Sequence, residues 1–256
     1  MKRIRVIPVL LLRKGGVVKT VKFKDPKYVG DCINAIKIFN EKEVDEMVVL
    51  DIDASPKNTP PNYQLIHELA GECFMPLSYG GGITSVEQAK RIIDSGIEKV
   101  ILNTAAINNP KLVEDLAHNY GSSSVVVSLD IKKDWLGKYK VFTNGGKQKV
   151  STKPLELALQ MQNAGAGEII LNSIDRDGTF QGYDVPLTQS IANQLEIPVV
   201  ACGGASKVED YLDVIKNGNA SAVAAGSMFV FKGVHRAVLI NYPDQATLKE
   251  KIYIHL

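Results

Sequence analysis

Cysteine, histidine and tryptophan are scarce: three, four and one in 256 residues. The cysteines, Cys32, Cys73 and Cys202, are odd in number and far apart, which excludes a disulfide framework and fits a reducing cytosol. A zinc site would need closer Cys/His spacing, and the histidines (His67, His118, His235, His255) read as surface or packing residues. Neither a metal nor another cofactor is expected. No apolar run is long enough to span a bilayer. The start, Met1-Lys2-Arg3-Ile4-Arg5, carries no signal-peptide cleavage pattern and leads into a strand. Charge is well mixed, with a net value of +2, no basic block and no acidic tail. Nucleic acid and membrane are therefore not expected partners.

What is present is a repeated glycine motif. Pro76-Leu77-Ser78-Tyr79-Gly80-Gly81-Gly82-Ile83 reads as a strand that breaks at glycine ahead of a helix starting near Ser85. Pro198-Val199-Val200-Ala201-Cys202-Gly203-Gly204-Ala205 repeats it, and Val86-Glu87 is matched by Val208-Glu209. The same spacing, 122 residues from Gly82 to Gly204, links Glu46 to Glu168, Asp53 to Asp175, and Asn103-Thr104-Ala105 to Ala225-Gly226-Ser227. Two similar halves are implied. Glycines before a helix N-terminus let backbone N–H groups approach an anion.

Eight apolar strands alternate with helices along the single span 1–256. They are expected at 4–12, 47–52, from Pro76 to the Gly80-Gly81-Gly82 break, 100–103, 124–130, 168–172, from Pro198 to the Gly203-Gly204 break, and 222–225, although Pro8 is awkward inside the first. Helices are expected over 30–41, 62–73, 85–95, from Pro110, and over 153–164, 186–195, 207–217 and 244–252. A long loop after the first strand, carrying Val17-Val18-Lys19, reads as a flap. Residues 131–150 read as an inserted hairpin turning at Asn144-Gly145-Gly146. This order predicts one (β/α)₈ barrel made of two fused halves. A doubly wound sheet fits less well, because no G-x-G-x-x-G follows the first strand.

In a barrel, the loops after the strands line the active face. One half then supplies Gly81, Gly82, Asn103 and Thr104; the other supplies Gly178, Thr179, Gly203, Gly204, Gly226 and Ser227. Such groups suit a phosphorylated small molecule with an anion at each end, or merely make turns. Asp130 ends the fifth strand where a general acid or base would sit, whereas Leu11 on the first cannot carry a proton. Asp51 and Asp177 are further acids near the mouth, catalytic or loop-capping. Lys19 is placed to meet a phosphate or to lie solvated on the flap. At the other end Arg5, Glu46, Lys99 and Glu168 begin strands 1, 2, 4 and 6, as a plug of ion pairs or a gate for a small polar molecule.

These motifs, with Leu50-Asp51-Ile52 and Ser173-Ile174-Asp175-Arg176-Asp177-Gly178-Thr179, resemble the cyclase subunit (HisF) of imidazole glycerol phosphate synthase over nearly the whole chain. The resemblance implies two phosphate sites, a glutaminase (HisH-like) subunit at the barrel floor, and ammonia passing a gate of Arg5, Glu46, Lys99 and Glu168. It also implies an aspartate acid–base pair, of which Asp130 is one member and Leu11 replaces the other. Lys22-Phe23-Lys24, Tyr28-Val29-Gly30-Asp31 and Asn40-Glu41-Lys42-Glu43-Val44-Asp45-Glu46 resemble a branch serving surface-polysaccharide (lipopolysaccharide) synthesis. There ammonia converts an acetamido group on a nucleotide sugar to an acetamidino group with a separate sugar amidotransferase. Histidine biosynthesis is the alternative role.

Overall fold

The computed structural model describes residues 4–233 and 235–256; Met1–Arg3, part of the N-terminal stretch read above, and residue 234 lie outside the described residues. Eight parallel strands form the frame: β1 (Arg5–Arg13), β2 (Met47–Asp51), β3 (Leu77–Gly80), β4 (Lys99–Leu102), β5 (Val125–Lys133), β6 (Glu168–Ser173), β7 (Val199–Cys202) and β8 (Ala222–Ala225). Each pairs with the next, and β8 returns to β1, with Arg5 opposite Ala222 and Pro8 opposite Ala225. The sheet is therefore a closed (β/α)₈ barrel, and closure removes the edges that an open sheet exposes.

The awkward proline has a physical explanation. Register with β8 ends at Pro8, and register with β2 begins at Val9. The missing N–H falls where the strand passes from one neighbour to the other, so no ladder bond is lost.

Alternation along the strands sorts side chains into two shells. Ile7, Val9, Val48, Ile101, Val126, Ile170, Val200, Ala222 and Ala224 fill the barrel axis. Val6, Leu10, Val49, Val100, Val127 and Ile169 point outward to the helices. Those helices are α1 (Cys32–Glu41), α2 (Tyr63–Glu72), α3 (Val86–Asp94), α4 (Pro110–Tyr120), α5 (Pro154–Asn163), α6 (Val185–Ala192), α7 (Glu209–Lys216) and α8 (Gln245–Lys251). Their starts follow local chemistry. Asp31, Asn62, Ser85, Asp184 and Asp244 each accept a backbone N–H as N-cap, and Pro110 and Pro154 stand in the first turn.

The flap after β1 is not an irregular loop. Gly16–Val21 pairs antiparallel with β1, Leu11 opposite Val18, and Lys24–Asp31 pairs with Gly16–Val21. The insertion after β5 is likewise more ordered than a free hairpin. Tyr139–Thr143 pairs back onto the extended end of β5, with Asp130 opposite Phe142, before Gln148–Lys149 returns. Short helices at Ala54–Lys57, Thr104–Asn108 and Ser227–Val230 follow β2, β4 and β8. Among the described residues, no helix is long and apolar enough to cross a membrane.

Candidate functional site

The carboxyl ends of the strands surround a cavity of about 400 Å³. Its wall includes Leu11, Leu50, Asp51, Gly81, Gly82, Asn103, Thr104, Ser128, Asp130 and Asn172. A smaller recess of about 40 Å³ adjoins it, lined by Leu11, Lys19, Asp177, Gly178, Cys202, Gly203, Gly204, Gly226 and Ser227. The structure thus separates the two sets of glycines expected from the sequence, one to each hollow. Both pairs are left-handed: Gly81 and Gly82 have φ of 121° and 73°, Gly203 and Gly204 of 93° and 105°. A Cβ on Gly82 would lie 2.6 Å from the Thr59 carbonyl oxygen, and one on Gly203 would lie 2.8 Å from that of Ser173. Glycine is required at both places by backbone angle and by space.

Thr179 does not join this set. Its hydroxyl donates 2.7 Å to the Arg176 carbonyl, as part of the turn after β6, and the side chain lines neither hollow. Its partner in the motif, Gly178, does line the recess.

Asp130 lies in the wall of the larger cavity. Asn103 Nδ2 donates to it at 3.2 Å and Asn172 Nδ2 at 3.3 Å. Desolvation pushes the carboxyl up to about 7; the Asn172 hydrogen bond opposes this, and the field of Asp177 adds to it. An acid poised there can give or take a proton at neutral pH. Leu11 lines both hollows, so the first strand brings a hydrocarbon to the mouth.

The other acids are already engaged. Asp51 Oδ1 accepts from Asp53 N at 3.0 Å and Ala54 N at 3.2 Å, fixing the turn into the short helix Ala54–Lys57. Asp177 Oδ2 accepts from Thr20 Oγ1 at 2.7 Å and Phe23 N at 3.1 Å, pinning the hairpin over the recess. Burial raises both carboxyls above their usual range. Lys19 is no solvated flap lysine: it is 4% exposed, and its Nζ donates to the Val9 carbonyl. A Cβ on Gly226 would strike that ammonium. Burial lowers the Lys19 pKa to about 8, against the field of Asp177. Cys202, missed by the sequence reading, also faces the recess; its thiol is pushed up to about 12 by burial.

At the barrel floor the four charged residues meet as expected. Arg5 bonds Glu46 at 2.5 Å and also grips Glu168. Lys99 reaches Glu46 at 3.0 Å and Glu168 at 3.3 Å. Ser78 Oγ donates 3.2 Å to Glu46. Both glutamates are buried, while Arg5 and Lys99 keep some contact with solvent. Burial works against the Arg5 charge, but the hydrogen bond and field of Glu168, then those of Glu46, outweigh it and hold the guanidinium above its usual value. Between this ring and the cavity lie Ile7, Val48, Val126, Ile170, Val200, Ala222 and Ala224, all buried. Among the described residues, no group of three or more His, Cys, Asp or Glu side chains is placed to hold a metal ion.

A closed barrel with a charged floor and an acid-lined cavity at the carboxyl ends of its strands defines a class: the (β/α)₈ barrel proteins. Within that class, the model of the histidine biosynthesis protein family matches residues 5–235, and the chain belongs to that family. It is 56% identical to a Pseudomonas aeruginosa protein provisionally named imidazole glycerol phosphate synthase subunit hisF2, over 95% of this chain and 97% of the relative. A Leptospira borgpetersenii relative, provisionally named as subunit HisF of the same synthase, is 50% identical over 99% and 100%. The imidazole glycerol phosphate synthase subunit HisF of Alkaliphilus metalliredigens is 41% identical over 90% and 91%.

Proposed function

We propose that this chain is the barrel subunit of a glutamine-dependent system of the imidazole glycerol phosphate synthase type. In this reading a glutaminase subunit docks at the floor, ammonia passes the ring of Arg5, Glu46, Lys99 and Glu168, and a phosphorylated small molecule is held at the mouth. Gly81, Gly82, Asn103 and Thr104 form the roomier anion cradle; Gly178, Gly203, Gly204, Gly226 and Ser227 form the tighter one, with Lys19 beside it. The apolar layer along the axis favours neutral ammonia over ammonium, because a desolvated charge is costly there. The small side chains of Ser78, Ser128, Ala222 and Ala224 leave the least to move during passage.

The reading rests on one observation at the mouth: Leu11 lines the cavity with Asp130, while Asp53, also in its wall, is paired with Arg13 and Lys57. Asp51 and Asp177 are tied to backbone and hydroxyl donors. Removing one of two proton carriers typically costs 10²–10⁴-fold in rate. A mouth short of one proton carrier favours delivery of ammonia onward, and the resemblance to the surface-polysaccharide branch supplies the acceptor: a sugar amidotransferase that turns an acetamido group on a nucleotide sugar into an acetamidino group. A second reading, the cyclase of histidine biosynthesis, is favoured by the names of the relatives. Expression in a strain lacking the histidine-pathway cyclase separates the two. Delivery predicts no growth without histidine; growth would establish ring formation and overturn it.

A further inference from the structure

The turn of the inserted hairpin belongs to the larger cavity. Residues 144–147 join Tyr139–Thr143 to Gln148–Lys149, and they touch three elements of the mouth. Asn144 N donates to Thr104 Oγ1 at 3.1 Å. A Cβ on Gly145 would lie 3.6 Å from Pro56 Cγ, and one on Gly146 would lie 3.1 Å from Phe23 Cδ2. The turn thus meets the short helix after β4, the short helix after β2 and the first hairpin. Its own bonds hold it in place: Lys147 N donates to the Thr143 carbonyl at 3.1 Å, and Asn144 Nδ2 donates to Gln148 Oε1 at 2.8 Å. Gly145 and Lys147 line the same cavity as Gly81, Gly82, Asn103 and Thr104.

That group of donors is short of charge. Asn103 Nδ2 donates to the Ser128 carbonyl at 2.8 Å and to Asp130 at 3.2 Å, and Thr104 Oγ1 donates to Asn103 Oδ1 at 3.2 Å. Either side chain reaches an anion only by leaving a bond it already makes, and the glycine N–H groups carry no formal charge. Among the described residues, the cations in the cavity wall are Arg13, Lys57 and Lys147. Arg13 Nε lies 3.4 Å and Lys57 Nζ 2.6 Å from the carboxylate of Asp53. Lys147 is exposed and enters no ion pair among the described residues. Asp51 stands in the same wall, so a phosphate there has a further acid to offset. The smaller recess shows the matching arrangement: a lysine from the other inserted hairpin, Lys19, lines it.

We infer that Lys147 is the charged member of the roomier cradle, meeting a terminal phosphate group whose other contacts are the backbone N–H groups of the Gly81-Gly82 turn. The inference rests on the reading of that turn as a phosphate cradle. A lysine ammonium on its flexible stem binds phosphate as a point charge. The bond from Asn144 to Thr104 fixes the backbone at the base of that stem, so only the side chain has to be ordered when the anion arrives.

Inorganic phosphate titrated into the isotope-labelled full chain, with the amide resonances of Gly82 and Gly204 followed separately, reads each cradle by itself. Lys147→Ala is expected to weaken the Gly82 response about tenfold, as loss of a charged hydrogen-bond donor implies, and to leave that of Gly204 unchanged. Lys147→Arg keeps the charge and should stay within about threefold of wild type. Added sodium chloride should weaken the Gly82 response of wild type more than that of Lys147→Ala, because the variant lacks the exposed charge that salt screens. A purely structural role for the residue would not change that salt dependence. Lys149→Ala removes a neighbouring exposed lysine that lines neither hollow, and it is expected to match wild type. An unchanged Gly82 response in Lys147→Ala would overturn the inference. An equal loss in Lys149→Ala would do so too, by making the effect the general field of the hairpin. Absence of any Gly82 response in wild type is a distinct failure, which would overturn the cradle itself.

Discussion

Asp130 makes the burial of the mouth measurable as a pH dependence of stability. Its carboxyl ordinarily titrates near 3.8, and burial moves it to about 7. Below pH ~4 the carboxyl is protonated in both folded and unfolded chains, and it adds nothing to the pH dependence. Between there and pH 7 the unfolded chain gives up the proton while the folded chain keeps it. The folded state binds more protons, so this group makes stability fall as pH rises. At ~1.4 kcal/mol for each tenfold change in proton affinity, the full displacement amounts to ~4 kcal/mol. Water entering through the open cavity reduces this, and ~2–3 kcal/mol between pH 4.5 and 8 is the expected size. Asp130→Asn removes the ionisation and keeps one acceptor for Asn103 or Asn172.

Urea unfolding of both proteins across that range gives the comparison directly. The variant's stability relative to wild type should rise by ~2–3 kcal/mol from pH 4.5 to pH 8, most of it below pH 7 and levelling off above. Other shifted groups, Asp51, Asp177 and Lys19 among them, are common to both proteins and largely cancel in the difference. Parallel stability curves would refute the reasoning, because they would mean that Asp130 is solvated and ionised at the mouth like an ordinary surface acid.

Four further outcomes follow from the same geometry. Lys99→Ala leaves Arg5 as the one cation facing the buried Glu46 and Glu168 in the ring and should cost ~3 kcal/mol in urea unfolding, with ammonia escaping before it reaches the mouth. Gly82→Ala forces a side chain into left-handed backbone against the Thr59 carbonyl; a cost of ~1–3 kcal/mol should appear in thermal unfolding, with loss of protection by inorganic phosphate. Asp177→Ala strands the Thr20 hydroxyl and the Phe23 N–H, so limited proteolysis between residues 22 and 28 should accelerate several-fold. Leu11→Asp puts a second carboxylate into the mouth, which should raise the Asp130 pKa further and confer detectable ring formation; a variant with no such activity would show that more than one proton carrier is missing.

The barrel was legible in the sequence because its signals are local. β2, β5 and β6 are short apolar runs, five of the eight outer helices open on a capping side chain, and the 122-residue echo between Gly82 and Gly204 places matching turns in each half. The floor ring was legible for a related reason: a charged residue that begins an otherwise apolar strand has few places to go in a closed barrel. The fate of individual polar groups at the mouth was not. Nothing beside Thr179 in the chain says that its hydroxyl will turn back to Arg176, and Lys19 reaches the Val9 carbonyl only because the hairpin folds over β8.

That hairpin also explains why the two hollows differ tenfold in volume although the backbones beneath them echo one another. Gly81-Gly82 and Gly203-Gly204 shape equivalent turns, so the asymmetry comes from what lies on top. Over the second pair, Asp177 holds Thr20 and Phe23, and Lys19 is pressed against Gly226. These contacts join residues 157 and 154 positions apart in the chain. The duplication accounts for the shape of each cradle, and the inserted hairpin for how much of it is open. Under the proposed function, a ligand with an anion at each end meets an open cradle in the first half and one covered by the hairpin in the second.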